Sequence, residues 1–203
     1  IADCDEAIRC DAGCATAYGN RAFAKSQKGE DDGVISDYSE AIRMDPGCAP
    51  AYSNRAVARC REGDYDRAIA DCTSAIRLDP RCPSAFANRA HAKLKKGCAS
   101  AAIDDYTEAI RLEPNIASLY VSRADAKSQN GDHESAILDC NEAICLDANC
   151  AAAFNSRASV KSKQGDHDGA MADCSEAIRL DPDSAAALSN MAYIKSQNGN
   201  STE

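Results

Sequence analysis

One thirty-four-residue phrase, repeated five times in succession with no insertion or deletion, constrains this chain more than any other feature. Its clearest copy is Ala49–Cys82, APAYSNRAVARCREGDYDRAIADCTSAIRLDPRC. The glycines Gly29, Gly63, Gly97, Gly131, Gly165 and Gly199 mark it, each thirty-four residues after the last. A fixed period of this length with a helix–turn–helix pattern inside it is the signature of a solenoid. Each unit buries its apolar face against its neighbours, so stability accumulates along a stack and not in one central core.

Composition narrows the function classes. The formal net charge of −9 over 203 residues argues against nucleic acid, which wants a basic stripe. No apolar run approaches the ~18 to 20 residues that span a bilayer, and no secretory signal segment opens the chain. The chain starts at Ile1 in mid-phrase, which reads as a processed product, an excised piece or a window onto a longer chain. Of its twelve Cys, Cys4, Cys72, Cys140 and Cys174 share one repeat position, and Cys14, Cys48, Cys82 and Cys150 share another. The first set reads as small core residues. Bridges are conceivable at the turns, with Cys10–Cys14 and Cys145–Cys150 as the local candidates. No CxxC occurs, so no zinc or thioredoxin-like motif is supported.

In order, residues 1–14 are the second half of a unit. Full units follow at 15–48, 49–82, 83–116, 117–150 and 151–184, and 185–203 is the first half of another. Within Ala49–Cys82 the helical spacing predicts a first helix from about Ala51 to Glu62, with Tyr52, Ala56 and Ala58 apolar. Gly63 ends it and Asp64 caps the next. The second helix is predicted over Tyr65–Leu78, burying Ala68, Ile69, Cys72, Ala75, Ile76 and Leu78. Asp79-Pro80 stops it, because the residue before proline is driven out of the α region. Ala12 and Ala148 stand where that proline would be and are expected to loosen those two turns.

Tyr52, Ala56, the Gly63-Asp64 turn, Ala68, Ala75 and Pro80 sit where the tetratricopeptide repeat (TPR) has its signature. The chain resembles a TPR array over essentially its full length. It departs in two places. Arg21, Arg55, Arg89, Arg123 and Arg157 replace the usual Leu of the first helix, with Met191 last. Lys25, Arg59, Lys93, Lys127, Lys161 and Lys195 replace a later Tyr. The resemblance implies an all-α, right-handed superhelical solenoid of antiparallel helix pairs, whose concave face comes mainly from the first helices and holds an extended peptide. Its candidate binding residues are Asn20, Asn54, Asn88, Ser122, Ser156 and Asn190. Asn54-Arg55-Ala56 with Asp71-Cys72 also resembles the middle repeat of co-chaperone TPR domains. The bases that would complete a carboxylate clamp are missing, with Gly19, Phe23, Ser84 and Asn88 in their places.

Asp37, Asp71, Asp105, Asp139 and Asp173, with Asp3 before them, recur on the second helix as faithfully as the Arg series does on the first. They are expected to form a partly buried Arg–Asp ladder that fixes register more than it adds net stability. Glu40 with Arg43, Glu108 with Arg111 and Glu176 with Arg179 are solvated-face pairs. His133 and His167 stand where Tyr65 does, and packing is the expected role; a metal pair lacks further ligands. Asn200-Ser201-Thr202 is the one N-glycosylation sequon.

No nucleophile–base constellation, phosphate loop or paired carboxylate rises above the repeat background. The expected function is therefore non-enzymatic, with no cofactor, no metal, no nucleic acid and no membrane span. Six periods would make one residue more than the chain has, and both ends are half-units. The leading reading is a unit that continues head to tail with copies of itself into a longer superhelix or filament; the alternative is a peptide-binding adaptor or scaffold excerpted from a longer chain. The expected location is soluble, in the cytoplasm or, as a fibre, outside the cell.

Overall fold

The computed structural model describes residues 1–30 and 32–200, side chains 198–200 excepted, and every regular element among them is an α-helix. In chain order these are α1 (Ala2–Cys10), α2 (Ala15–Lys28), α3 (Val34–Met44), α4 (Ala49–Arg61), α5 (Tyr65–Leu78) and α6 (Pro83–Lys95). They form one compact unit that reaches Cys98. A second begins at Ala99 and holds α7 (Ala99–Leu112), α8 (Ala117–Gln129), α9 (His133–Leu146), α10 (Ala151–Lys163), α11 (His167–Leu180) and α12 (Ala185–Asn200). No helix of the described residues is long and apolar enough to cross a membrane.

Local sequence sets the helix ends. Gly63 has φ 80°, a left-handed conformation that costs an L side chain free energy. The Asp64 side chain then accepts from the Arg67 amide, and Asp132 and Asp166 do the same for Ser135 and Gly169. Pro50 lies in the first turn of α4, where a missing N–H costs nothing. The helix therefore starts at Ala49, two residues before the sequence expectation, and ends at Arg61. The α3 helix is shorter than α5, α7, α9 and α11 and enters from Gly33 at φ 78°, with no side-chain cap.

Small residues let the helices close on one another. In the first unit Ala56, Ala68, Cys72 and Ala92 form one fully or nearly fully buried cluster, and Ala22, Val34, Tyr38, Ala41, Ile42, Ala51 and Ala58 form another. In the second unit Val160 packs with Ala124, Ala136 and Cys140, and Ile194 with Ala158, Ala170 and Cys174. Burying Val160 or Ile194 contributes about 2 kcal/mol each; the alanines contribute mainly by close approach.

Three sequence expectations change. Leu78 is 40 % exposed, because it ends α5 where the chain turns away from the core. The turns without proline keep their shape: Asp147 (φ −142°, ψ 98°) matches Asp79 (φ −134°, ψ 94°). Their geometry comes from the aspartate, which accepts from the amide two residues on, Asn149 to Asp147 at 3.0 Å as Arg81 to Asp79 at 3.0 Å. Neither Cys10–Cys14 nor Cys145–Cys150 forms a disulfide.

Candidate functional site

The polar framework beneath the surface repeats with the sequence. The Arg55 guanidinium grips Asp71 with two parallel hydrogen bonds, Nε to Oδ2 at 2.9 Å and Nη2 to Oδ1 at 2.8 Å. Its remaining Nη1 reaches back to Ser39 Oγ at 2.9 Å, and its face lies 5.7 Å from the Tyr52 ring centre. Arg59 adds a third donor to Asp71 at 2.6 Å. Arg21, Asp37, Lys25, Asp5 and Tyr18 repeat this arrangement in the first unit. In the second unit it recurs in Arg123 with Asp139, Lys127, Thr107 and Tyr120, and in Arg157 with Asp173, Lys161, Asn141 and Phe154. Arg89 stacks on Phe86 and donates to Thr73 at 3.3 Å, and Asp105 is buried. Asp3 is exposed on α1.

Burial pushes the Asp37 and Asp173 carboxyls up, but hydrogen bonds from Arg21 and Lys25, and from Arg157 and Lys161, outweigh it and leave both below the usual range. The sequence reading missed two members of this network: the later base of the first helix, and the polar residue on the preceding second helix (Asp5, Ser39, Thr73, Thr107, Asn141). Their thirty-four-residue recurrence was the available signal.

Above this framework the first helices line hollows. In the first unit, one of about 230 Å³ lies between α2 and α4 over the ring of Tyr38, with Gly19, Asn20 and Phe23 on one wall and Pro50, Ala51 and Asn54 on the other. Phe23 is 52 % exposed. A second, of about 260 Å³, lies between α4 and α6 and is lined by Val57, Cys60, Arg61, Asn88 and His91. In the second unit a hollow of about 260 Å³ takes Ser159, Ser162, Lys163, Asn190, Tyr193 and Ile194. Asn20, Asn54, Asn88 and Asn190 thus line hollows. Ser122 and Ser156 are half-buried and line none of these three.

Several lining side chains are already engaged with residues beside the hollows. Asn88 Nδ2 donates to Ser53 Oγ at 3.1 Å, and Asn190 Nδ2 to Asn155 Oδ1 at 2.9 Å. Arg61 Nη1 donates to Ser26 Oγ at 3.0 Å, and Lys163 Nζ to Ser128 Oγ at 2.9 Å. Asn54 and Ser122 hydrogen-bond to the phenols of Tyr38 and Tyr106, which burial pushes up, Tyr106 to about 12. These hydrogen bonds hold the side chains in place before any ligand arrives. His133 and His167 are half-buried at the first turns of α9 and α11, where each Nδ1 is buried without a hydrogen-bond partner. No three His, Cys, Asp or Glu of the described residues gather as a metal site. Ser201 and Thr202 of the sequon, and the Asn200 side chain, lie outside what the structure describes.

Models of the tetratricopeptide repeat match residues 49–82, 88–153 and 151–184, well over half of the chain. No curated protein shows significant sequence similarity. Among solved structures, the chain is similar to YrrB, titled a TPR protein with an unusual peptide-binding site, at 20 % identity and TM-score 0.70, covering 91 % of this chain and 95 % of that one. It is similar to a thermophilic TPR protein of Thermus thermophilus, at 17 % identity and TM-score 0.75, covering 89 % and 98 %. MamA from Desulfovibrio magneticus gives 18 % and 0.74, covering 84 % and 97 %. At such identities the likeness is one of fold.

Proposed function

This chain belongs to the tetratricopeptide repeat family, and from that premise we propose that it is a non-enzymatic scaffold that receives an extended peptide segment of another protein in the groove between α2 and α4. The units of the scaffold are the phrases 15–48 to 151–184, with the half-phrases 1–14 and 185–203 beside them. The observation that carries the reading is Phe23, 52 % exposed at the lip of a hollow whose opposite wall offers Asn54. An exposed aromatic gives an apolar side chain a surface to bury against, and fixed amides answer a peptide backbone. The peptide-binding site in YrrB's title supports the same use of the fold.

The test is selection of displayed peptides against the whole chain, repeated on Gly19→Leu. A Cβ at Gly19 meets nothing closer than Ala41 Cβ at 4.0 Å, so the variant folds while its side chain fills the hollow. Selected peptides are expected to lose binding to it. Peptides that bind both proteins equally would refute the groove.

Head-to-tail association of copies into a longer superhelix or filament is the second reading. It is favoured by α12, where Leu188 and Met191 stand in place of the aromatic and Arg of the other first helices and leave Leu188 48 % exposed. Under that reading, sedimentation shows concentration-dependent growth that Leu188→Glu reduces. A chain that stays monomeric at the highest soluble concentration would exclude it.

A further inference from the structure

We infer that the hollow over Tyr38 takes a basic side chain of the bound peptide, lysine or arginine, with its stem laid over Gly19 between Phe23 and Pro50 and its cationic head at Asp45. This rests on the peptide-binding reading above and gives it a chemistry. The hollow exists because Gly19 stands where Ser53 and Ala87 stand in the next two phrases, and Phe23 stands where those phrases have Val57 and His91. Ala15, Gly19 and Phe23 line it one helical turn apart, so it runs about 12 Å along α2. Phe23 is at one end. At the other, α2 and α4 begin beside Thr16 and Pro50, and Asp45 closes α3. A trough that is apolar along its length and acidic at one end matches a side chain with an apolar stem and a charged tip.

The charge balance at that end is negative. Asp45 is the one charged residue of the lining, and it is exposed. Its Oδ1 accepts from the Gly47 amide at 3.0 Å, which leaves Oδ2 for a ligand. Arg43, on α3, is paired with Glu40 at 3.0 Å, and Arg21 and Lys25, on α2, with Asp37 at 2.8 and 3.0 Å. The starts of α2 and α4 bring about half a positive charge each. The close of α3 brings about half a negative one and Asp45 a whole one, so the balance stays below zero. The net −9 of the chain adds to it.

The molecule itself shows what satisfies a base. Arg21 and Arg55 lie over the rings of Tyr18 and Tyr52, 5.4 and 5.7 Å from their centres, and each grips a carboxylate. The hollow offers the same two kinds of group, Phe23 for the stem and Asp45 for the head, and no base of the described residues lines it.

The probe is a seven-residue peptide of serines, acetylated and amidated, with lysine fourth, titrated into the whole isotope-labelled chain by NMR. Norleucine in its place keeps the stem without the charge, and glutamate reverses the charge. The amides of Gly19 and Gly47 are expected to shift, with the lysine peptide bound about three-fold more tightly than the norleucine one and the glutamate peptide weakest. Asp45→Asn should erase the lysine–norleucine difference; asparagine also accepts from the Gly47 amide, so the turn is kept. Asp79→Asn removes the same charge one phrase on, outside this lining, and should leave most of the difference, which separates the hollow from the general pull of an acidic chain. If Asp45→Asn fails to fold, Gly19→Leu, which fills the hollow, should erase the same difference. Lysine and norleucine peptides bound equally, or a lysine preference that survives these changes at the hollow, would overturn this inference and leave the peptide groove standing. A groove untouched by every peptide would overturn both.

Discussion

At the scale of the residue, the aspartate of the second helix carries the most consequence. Asp71 is almost fully buried, yet its two oxygens receive donors from both Arg55 and Arg59. The cost of desolvating it offsets much of the attraction, so such a group specifies an arrangement more than it adds net stability. Removing it is another matter: Asp71→Ala leaves two guanidinium groups half-buried and facing one another. It is expected to lower unfolding free energy by about 3 kcal/mol in chemical denaturation; a loss under about 1 kcal/mol would show that water screens the pair, as at a surface. The same chemistry sets an acid limit. Asp37 and Asp173 have folded pKa values below the ordinary carboxylate range, so they add stability above the unfolded value of about 3.9 and give it up as pH falls through the folded one. The melting temperature should therefore hold from neutral pH down to about pH 4 on their account and fall below it, and Asp173→Asn should start lower and fall less steeply. The recurrence of Arg and Asp was legible in the sequence because both stand at fixed positions. That Arg55 also reaches back to Ser39 was harder to read: a polar residue recurs at that position, but its identity changes from copy to copy (Asp5, Ser39, Thr73, Thr107, Asn141) and resembles solvated surface.

At the scale of the element, what the sequence declares best are the turns. Gly63 and Asp64 are chemically narrow choices: one must accept positive φ, the other must offer an oxygen to Arg67 N. Asp64→Ala should destabilise the chain by about 1 kcal/mol, read from the shift of the denaturation midpoint. The late start of α3 was less legible, because Gly33 competes with the usual turn and supplies a second left-handed residue four positions after Gly29. Leu78 misled for a related reason: periodicity continues the buried stripe to the last residue, but the helix end rotates out of the core. The cysteines give a direct measure of helix faces. Cys72, Cys140 and Cys174 are fully buried, and burial pushes the Cys140 thiol up to about 12, whereas Cys10, Cys98 and Cys145 are exposed. In the native protein an aromatic disulfide reagent should label the exposed three rapidly and the buried three only after denaturant is added. Early modification of Cys140 would place α9 wrongly.

At the scale of the whole molecule, a thirty-four-residue period is legible because every copy repeats the same packing problem and solves it with alanine. The hollows are less legible. They arise where copies differ, as at Gly19 against Ser53 and Ala87, and a difference between copies is silent until the neighbours of the position are known. Repetition also predicts how the molecule fails. Among the described residues α10 packs against α8, α9, α11 and α12 and no further helix, and α4 against α2, α3, α5 and α6. With contacts this local, stability is close to a sum of unit and nearest-neighbour contributions, and damage spreads by adjacency. Asp173→Asn weakens the grip of Arg157 and Lys161 on α11, so native-state hydrogen exchange should accelerate in α10, α11 and α12. The slowest amides of α4 and α5, held by the cluster of Ala56, Ala68, Cys72 and Ala92, should keep their rates. If those amides accelerate by the same factor as α11, the protein opens as one cooperative body, and the nearest-neighbour account of this chain is wrong.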